Sequence, residues 1–348
     1  MSVRIINADV MDGLASLDDE SVHCVVTSPP YWGLRDYGAD GQIGLEPTLQ
    51  DHLAKLVEVF REVRRVLRKD GTLWLNYGDA YAGSWGAQSR GEEPGAASKL
   101  SGGQVYAAPK GTHTGSMKRT PGLKPKDLML MPERLAIALQ DDGWYVRSRI
   151  IWSKLNPMPE SVTDRPTKSH EHIWLMSRSP KYFYDAAAIA EPRNSVGGEF
   201  VNGWASGPGS HNAVSGAKDK GNAKSFRGGG KYTKGQHVTA DKVARETRGN
   251  EPAASDNRNA RDVWTIATRP FPEAHFATFP PEIAERCIKA GCPKGGTILD
   301  PFGGSGTTGL VADRLQRSAI LIELNPTYAA MARKRITNDC PLFTEAAE

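Results

Sequence analysis

A glycine-rich loop late in the chain has the residue types and spacing of a nucleotide-binding site. Residues 297–299 are apolar and predict a buried strand before the loop, and residues 307–315 predict a helix after it. Between them, Gly304, Gly306 and Gly309 have the spacing Gly-x-Gly-x-x-Gly. Glycines let a ligand approach the backbone closely, and free amides at the start of a helix attract an anion.

An acidic residue completes this pattern. Residues 318–324 predict a second strand, and Glu323 lies near its end, about twenty residues after the glycines. A carboxylate at this place accepts hydrogen bonds from ribose hydroxyls. We therefore predict a nucleotide site, with a structural turn as the alternative for the glycines alone.

The two strands of this unit need partners from elsewhere in the chain. Only one further helix, residues 326–336, is predicted after Glu323, and apolar sheet faces need more elements to cover them. We therefore expect the N-terminal part of the chain to complete the sheet and to carry the chemistry.

A second chemical pattern lies near the amino end. Residues 27–33 read Thr-Ser-Pro-Pro-Tyr-Trp-Gly and directly follow a predicted buried strand. Because Pro29 and Pro30 stiffen the backbone and cannot continue a β-ladder, we expect Ser28 and Tyr31 to be held at the carboxyl end of that strand. Ligands bind at this edge in open α/β sheets.

The other elements predict an alternating α/β domain. The clearest helix covers residues 48–69, with Thr48 as its N-cap and Gly71 as its C-terminal stop. Further strands are predicted at residues 3–6, 23–26, 72–76, 144–152, 172–176 and 182–184. Further helices are predicted at residues 11–17, 132–140 and 279–290.

The composition is that of a globular protein with long loops. Of the 348 residues, 39% are hydrophobic, and there are 36 glycines and 23 prolines. The formal net charge is only +4, so binding to nucleic acid requires local clusters of basic residues. The four cysteines lack zinc-ligand spacing, and no signal peptide or membrane-length apolar run is present, which indicates a reduced cytoplasmic protein.

Two stretches lack helical or strand periodicity. Residues 83–124 are rich in Gly, Ser and Ala, and residues 193–261 hold twelve Lys/Arg against six acids. Aromatic residues are scattered through the second stretch. It is either a solvated loop or a loop that follows a phosphate backbone, and the adjacent nucleotide-type site favours nucleic acid.

The two chemical patterns resemble the motifs of a known enzyme family. Residues 300–308, Asp-Pro-Phe-Gly-Gly-Ser-Gly-Thr-Thr, and residues 27–31 are similar to the cofactor and catalytic motifs of DNA amino-methyltransferases. These enzymes transfer a methyl group from S-adenosyl-L-methionine to the exocyclic amine of cytosine or adenine. The order of the motifs resembles the permuted β-type subgroup. Residues 149–154, 164–171 and 275–280 are also similar to family blocks.

The resemblance implies an α/β fold with a Rossmann-like mixed seven-stranded sheet. Helices cover both faces, the motif order is circularly permuted, and a loop-rich insertion recognises DNA. The implied parts are a catalytic half at 1–82 and 124–190, a flexible Gly/Ser-rich insertion at 83–123, a basic target-recognition region at 191–262 and a cofactor-binding half at 263–348.

The catalytic roles follow from the weakness of the nucleophile. The lone pair of an exocyclic amine is delocalised into the ring, so acceptors aimed at its two hydrogens favour a more tetrahedral nitrogen. The candidate acceptors are the Ser28 hydroxyl and the Pro29 carbonyl, which the paired prolines Pro29 and Pro30 hold in place. Tyr31 would stack on a base rotated out of the duplex.

The cofactor roles are implied by the resemblance. Glu323 would hold the ribose hydroxyls, and Asp9 would lie near the adenine amine. The methionine part would be surrounded by Asp300, Phe302, Gly304, Ser305, Gly306, Thr307 and Thr308, with His275 and Phe276 in a segment that closes over the same end.

Simpler roles remain open for several of these residues. Asp9 is alternatively a plain N-cap, Phe302 a core residue and His275 a packing residue. Asn76 and Asp79, at a strand end on the same edge, are candidates for a secondary role in the site.

The residue before Pro-Pro-Tyr bears on the target base. In the family, serine here is found mostly in cytosine-N4 enzymes, and aspartate or asparagine in adenine-N6 enzymes. Ser28 therefore favours cytosine N4, with adenine N6 as the alternative. Methylation at cytosine C5 is not expected, because Cys24 lies inside a predicted strand and no cysteine lies in an active-site loop.

Three other functions are alternatives to this one. They are a nicotinamide-dependent dehydrogenase, a non-catalytic DNA-binding module, and a methyltransferase for protein or RNA amides. The favoured hypothesis predicts double-stranded DNA and a restriction endonuclease of the same system as partners, and no metal or membrane. It predicts a monomer or homodimer in the cytoplasm, encoded by a bacterium or a phage.

Overall fold

The computed structural model describes residues 2–33, 41–82, 123–192, 257–269 and 279–339. The chain separates into two compact units. One consists of Met1–Ile189 and Ala260–Glu348, and the other consists of Ala190–Asn259. Within the described ranges, no helix has the length and apolar character needed to cross a membrane.

The larger unit is built on a mixed β-sheet. Its strands are β1 (Val3–Asn7), β2 (Val22–Thr27), β3 (Leu67–Tyr77), β4 (Tyr145–Lys154), β5 (His170–Ser177), β8 (Val263–Ile266), β9 (Thr297–Asp300) and β10 (Ser318–Glu323). Their order across the sheet is β1-β10-β9-β2-β3-β5-β4-β8. Strand β5 is antiparallel to both of its neighbours, and all the other pairs are parallel.

In the smaller unit, β6 (Glu191–Pro192) and β7 (Asn257–Arg258) form a short antiparallel pair. Pro192 lies opposite Asn257 in this pair. The two ends of the region between them are therefore adjacent in space.

Helices cover both faces of the sheet. They are α1 (Val10–Ala15), α2 (Leu49–Val66), α3 (Met131–Asp141), α4 (Pro281–Gly291), α5 (Thr307–Arg314) and α6 (Pro326–Asp339). Successive side chains of a strand point to opposite faces. Accordingly, Val25 packs in the core with α1, α2 and α3, whereas Cys24 and Val26 pack in the core with α4 and α5.

The N-terminal and C-terminal strands interleave in one sheet. Val25 of β2 lies opposite Leu299 of β9, and Asn7 of β1 lies opposite Glu323 of β10. The expectation that the N-terminal part of the chain completes the sheet of the glycine-loop unit is therefore confirmed.

The structure corrects three details. The sheet of described residues has eight strands rather than seven, because the four-residue β8 adds to β4 at the edge. Residues 182–184, which were predicted to be a strand, are described and form none. Gly71 does not stop a helix: α2 ends at Val66, and Gly71 lies inside β3, where an added Cβ would overlap Leu67 and lie 3.0 Å from the His23 carbonyl oxygen.

Candidate active site

The two chemical motifs meet at the carboxyl edge of the sheet. Because β2 and β9 are adjacent and parallel, both motifs leave the sheet on the same side. The Thr27 hydroxyl donates a hydrogen bond of 2.7 Å to Asp300 Oδ1. The Ser-Pro-Pro-Tyr corner after β2 and the glycine loop after β9 therefore lie side by side.

Asp300 organises the glycine loop from inside. It is only 2% exposed, and it also accepts hydrogen bonds from the Thr308 hydroxyl at 2.7 Å and the Phe302 amide at 3.1 Å. Burial raises the pKa of Asp300 to about 6, although these hydrogen bonds and that from Thr27 oppose the rise. Through these hydrogen bonds the Asp300 carboxylate holds the glycine loop against β2.

Glycine is needed at position 306 for two reasons. Gly306 has φ +79°, a left-handed conformation that side chains disfavour, and it is the N-cap of α5. An added Cβ would also lie 2.8 Å from the Cβ of Ala332. The loop therefore packs directly on α6.

Glu323 lies against the glycine loop. One carboxylate oxygen accepts a hydrogen bond of 2.7 Å from the Gly304 amide, and the other accepts one of 2.9 Å from the Asn325 amide. Burial, assisted by the negative charge of Asp300, raises the pKa of Glu323. The predicted pairing of an acid with the glycine loop is present.

Arg335 holds the loop from the side of α6. Its guanidinium donates to the Ser305 carbonyl at 3.2 Å, to the Ser305 hydroxyl at 3.1 Å and to the Thr307 hydroxyl at 3.0 Å. Nothing in the sequence pattern singles out this arginine, because its partners lie about thirty residues away along the chain.

Asp9 is the N-cap of α1. Its Oδ1 accepts a hydrogen bond of 2.8 Å from the Met11 amide. The neighbouring Asn7 donates to the Glu323 carbonyl at 2.8 Å, which brings the segment after β1 to the end of β10. Asp9 therefore acts as an N-cap, the simpler of its two predicted roles, and its contact with a cofactor stays a prediction.

Tyr31 is fixed at both its ring and its hydroxyl. The ring packs edge-on against Tyr77 with a centroid separation of 5.0 Å, and an added Cβ at Gly78 would overlap it. Its hydroxyl donates to Glu171 Oε2 at 3.1 Å. Burial raises the pKa of Tyr31 well above its usual value, while a hydrogen bond with the Ser28 side chain opposes the rise.

Glu171 accepts hydrogen bonds from several side chains next to the Ser-Pro-Pro-Tyr corner. Besides Tyr31 it accepts from Asn76 Nδ2 at 3.2 Å and from Lys154 Nζ at 2.5 Å. Burial favours the neutral acid, but the Lys154 ammonium and the hydrogen bonds hold the pKa of Glu171 below its usual value. Glu171 is therefore ionised at neutral pH and anchors the Tyr31 hydroxyl.

The two candidates for a secondary role differ. Asn76 is 4% exposed and reaches Tyr31 through Glu171. Asp79 instead accepts hydrogen bonds from the Ala80 amide at 2.8 Å and the Met131 amide at 3.1 Å, so it holds the start of α3.

A buried chain of hydrogen-bonded polar groups holds the Tyr77 hydroxyl. His52 is fully buried, with Nδ1 2.8 Å from a Glu46 carboxylate oxygen and Nε2 2.7 Å from the Tyr77 hydroxyl. Because an ionised carboxylate only accepts, Nδ1 donates to Glu46, and in the neutral imidazole this leaves Nε2 to accept a hydrogen bond from the Tyr77 hydroxyl. The Glu46 carbonyl accepts from Trp32 Nε1 at 2.9 Å, which ties the chain after the corner to the same network.

Some predicted site residues lie outside the described residues. They are His275 and Phe276, together with residues 83–122 and the basic stretch 193–256.

Four residues that contact the site were not predicted from the sequence. They are Glu171, Arg335, Glu46 and His52. Glu171 alone had a signal, since it ends the run 164–171.

The chain matches known proteins over almost its whole length. A model of the N6/N4 methyltransferase family, described as DNA methylase, matches residues 22–334. The Type II methyltransferase M.SmaI of Serratia marcescens is 42% identical over 340 residues, covering 96% of this chain and 91% of that protein.

Two solved structures are similar in fold. The PvuII DNA methyltransferase (cytosine-N4-specific) has a TM-score of 0.57 at 16% identity, covering 97% of this chain and 91% of that one. TTHA0409 of Thermus thermophilus, solved with S-adenosyl-L-methionine, has a TM-score of 0.54 at 22% identity, covering 98% and 97%. These likenesses show a methyltransferase-type mixed sheet, as the sequence predicted.

Proposed function

Because the chain belongs to the DNA methylase family, we propose that it methylates the exocyclic N4 amine of a cytosine in duplex DNA at a specific sequence, with S-adenosyl-L-methionine as the donor. The observation that carries the choice of amine is Ser28, held in the Pro-Pro corner beside the glycine loop. Adenine N6 is the alternative target in the same family. Family membership replaces the dehydrogenase hypothesis.

The glycine loop and its neighbours fit S-adenosyl-L-methionine. Glu323 lies where a carboxylate accepts from ribose hydroxyls, and the amides that begin α5 suit a methionine carboxylate. When ionised, the carboxyl groups of Asp300 and Glu323 beside the glycine loop would supply negative potential near a sulfonium cation.

The proposed cofactor site consists of Asp9, Asp300, Phe302, Gly304, Ser305, Gly306, Thr307, Thr308 and Glu323, together with His275 and Phe276. Within this set we assign Asp300 and Gly306 to shaping the glycine loop, and the remaining residues to direct contact with the cofactor.

The chemistry required of the protein is mainly positioning, because the cofactor supplies a methyl group that is already activated. The Ser28 hydroxyl and the Pro29 carbonyl accept the two amino hydrogens and stabilise the positive charge that develops on the nitrogen. The Tyr31 hydroxyl is bonded to Glu171 and its ring packs perpendicular to that of Tyr77, so Tyr31 would present a ring of fixed orientation to the target base.

Stacking on Tyr31 offsets the cost of rotating the base out of the duplex. Extrusion costs a few kcal/mol, and stacking on an aromatic ring returns about 1–3 kcal/mol. A ring held in advance loses little further entropy when the base arrives.

Nucleoside analysis tests the choice of amine. DNA methylated by the purified protein is digested and analysed by mass spectrometry. We expect N4-methylcytosine, and sequencing of the same DNA for methylated positions gives the recognition sequence. N6-methyladenine as the product would overturn the cytosine assignment while leaving methyl transfer to DNA in place.

Glu171→Gln should lower turnover about tenfold without changing cofactor affinity. The change weakens a charge-assisted hydrogen bond to Tyr31, an interaction of roughly 1.5 kcal/mol. Glu133→Gln is the matched control, because Glu133 lies 3.7 Å from His172 Nδ1 and makes no contact with Tyr31 among the described interactions. Equal losses in the two variants, in single-turnover rate and cofactor titration, would contradict the anchoring role.

The basic stretch is the proposed DNA-recognition element. Since Pro192 and Asn257 are directly paired, residues 193–256 can be replaced by a two-residue Asn-Gly turn. We expect this deletion to abolish binding to duplex DNA in a mobility-shift titration and to leave cofactor affinity intact. Retained sequence-specific methylation by the shortened chain would refute the recognition role.

The similarity to Type II methyltransferases supports the proposal of a partner nuclease. We propose a restriction endonuclease of the same system that cuts the sequence this protein methylates, and a monomer or homodimer as the working form. Co-expression tests the first point: cells carrying the methyltransferase should survive the nuclease.

A further inference from the structure

The loop after β4 presents two exposed apolar side chains beside the catalytic corner. Leu155 is 67% exposed and Met158 is 84% exposed. The residue before them, Lys154, binds one oxygen of Glu171, and the other oxygen of Glu171 accepts from Tyr31. Since β4 runs parallel to β3, this loop leaves the sheet at the same edge as the catalytic corner.

The loop is anchored at both ends. Asn156 Oδ1 accepts from the Thr268 amide at 2.8 Å and from its hydroxyl at 2.9 Å, and Asn156 Nδ2 donates to the Thr268 carbonyl at 3.2 Å. At the other end, Glu160 accepts from Arg165 at 2.7 Å and from the Lys168 amide at 3.3 Å.

The segment between the anchors is stiffened by two prolines, Pro157 and Pro159. Single exposed apolar residues are common on protein surfaces and need no explanation by themselves. Here two exposed apolar residues lie close together on one loop at the substrate edge. Leu155 directly precedes the Asn156 anchor, and Met158 lies between the two anchors. The backbone that carries them is therefore held in place before a substrate binds.

We infer that Leu155 and Met158 form an apolar wedge that enters the base stack of duplex DNA and fills the gap left by the extruded base. This inference rests on the proposed function. Extrusion leaves an unstacked gap in the duplex, and Leu and Met are among the side chains that proteins insert between base steps. The wedge acts on the duplex, whereas Tyr31 acts on the extruded base.

The test compares paired and mismatched DNA. The variant Leu155→Ala/Met158→Ala is measured against Ile137→Ala, whose side chain is also exposed, at 57%, but lies in the middle of α3. The substrates are a duplex with the recognition sequence and the same duplex with the target base mismatched. A mismatched base costs less to extrude, so it needs the wedge less.

We expect the double variant to lose about 10- to 100-fold in methyl-transfer rate on the paired duplex and about threefold or less on the mismatched one. Cofactor affinity and the Ile137→Ala rates should be unchanged. An equal loss on both duplexes, or no loss on the paired duplex, would overturn the wedge. If the unmodified protein methylates neither duplex, the proposed function fails instead.

Discussion

We expect Ser28→Ala to lower the rate of methyl transfer by about 100- to 1,000-fold, the effect of removing a preorganised group from developing charge. Ser28 directly follows Thr27, which holds Asp300 at the end of β2. Its loss removes one of the two acceptors for the amino hydrogens. Because the proposed contact is to the target base and not to the cofactor, we expect cofactor affinity to stay essentially unchanged.

Single-turnover transfer of a labelled methyl group and a separate cofactor titration measure the two quantities. Ser21→Ala is the matched control. Ser21 precedes the same strand at its other end, where its hydroxyl donates only to the Asp18 carbonyl. Near-normal transfer by Ser28→Ala would show that this serine is not an acceptor in the reaction.

For Glu323→Ala we expect the opposite pattern: cofactor affinity should fall about 100-fold or more, while the rate at saturating cofactor should fall far less. Each charge-assisted hydrogen bond to a ribose hydroxyl contributes about 1.5–3 kcal/mol. The same carboxylate accepts from the Gly304 and Asn325 amides, so its loss also loosens the glycine loop.

Glu323→Gln separates these effects. Glutamine keeps one oxygen for a backbone amide but lacks the negative charge, so its affinity should lie between those of the wild type and the alanine variant. Equal effects of Ser28→Ala and Glu323→Ala on cofactor affinity would contradict the division of roles.

The sequence predicted the parts of the site that depend on strand order. A strand followed by glycines and a strand followed by two prolines end at the same edge in a parallel sheet, so the two motifs meet there. The hydrogen bond from Thr27 to Asp300 joins them. Glu323 follows from the length of one βαβ unit. These contacts are set by backbone topology, which hydrophobic patterns record.

The parts that were not predicted depend on side chains from distant elements. Tyr31 and Glu171 are 140 residues apart, and the link exists because the antiparallel β5 pairs with β3 in one particular register. No periodicity specifies that register. The β8 strand escaped prediction because four residues are too few to show a strand periodicity. Gly71 was misassigned because close packing inside a strand and a helix stop both call for glycine.

The most direct measurement is the position of the target amine in a crystal structure with duplex DNA and the demethylated cofactor, S-adenosyl-L-homocysteine. We predict a cytosine rotated out of the duplex onto Tyr31, with its exocyclic nitrogen about 2.7–3.2 Å from Ser28 Oγ and the cofactor along the loop from Asp300 to Thr308. A target base that stays stacked in the duplex, or a cofactor bound away from this corner, would contradict the account.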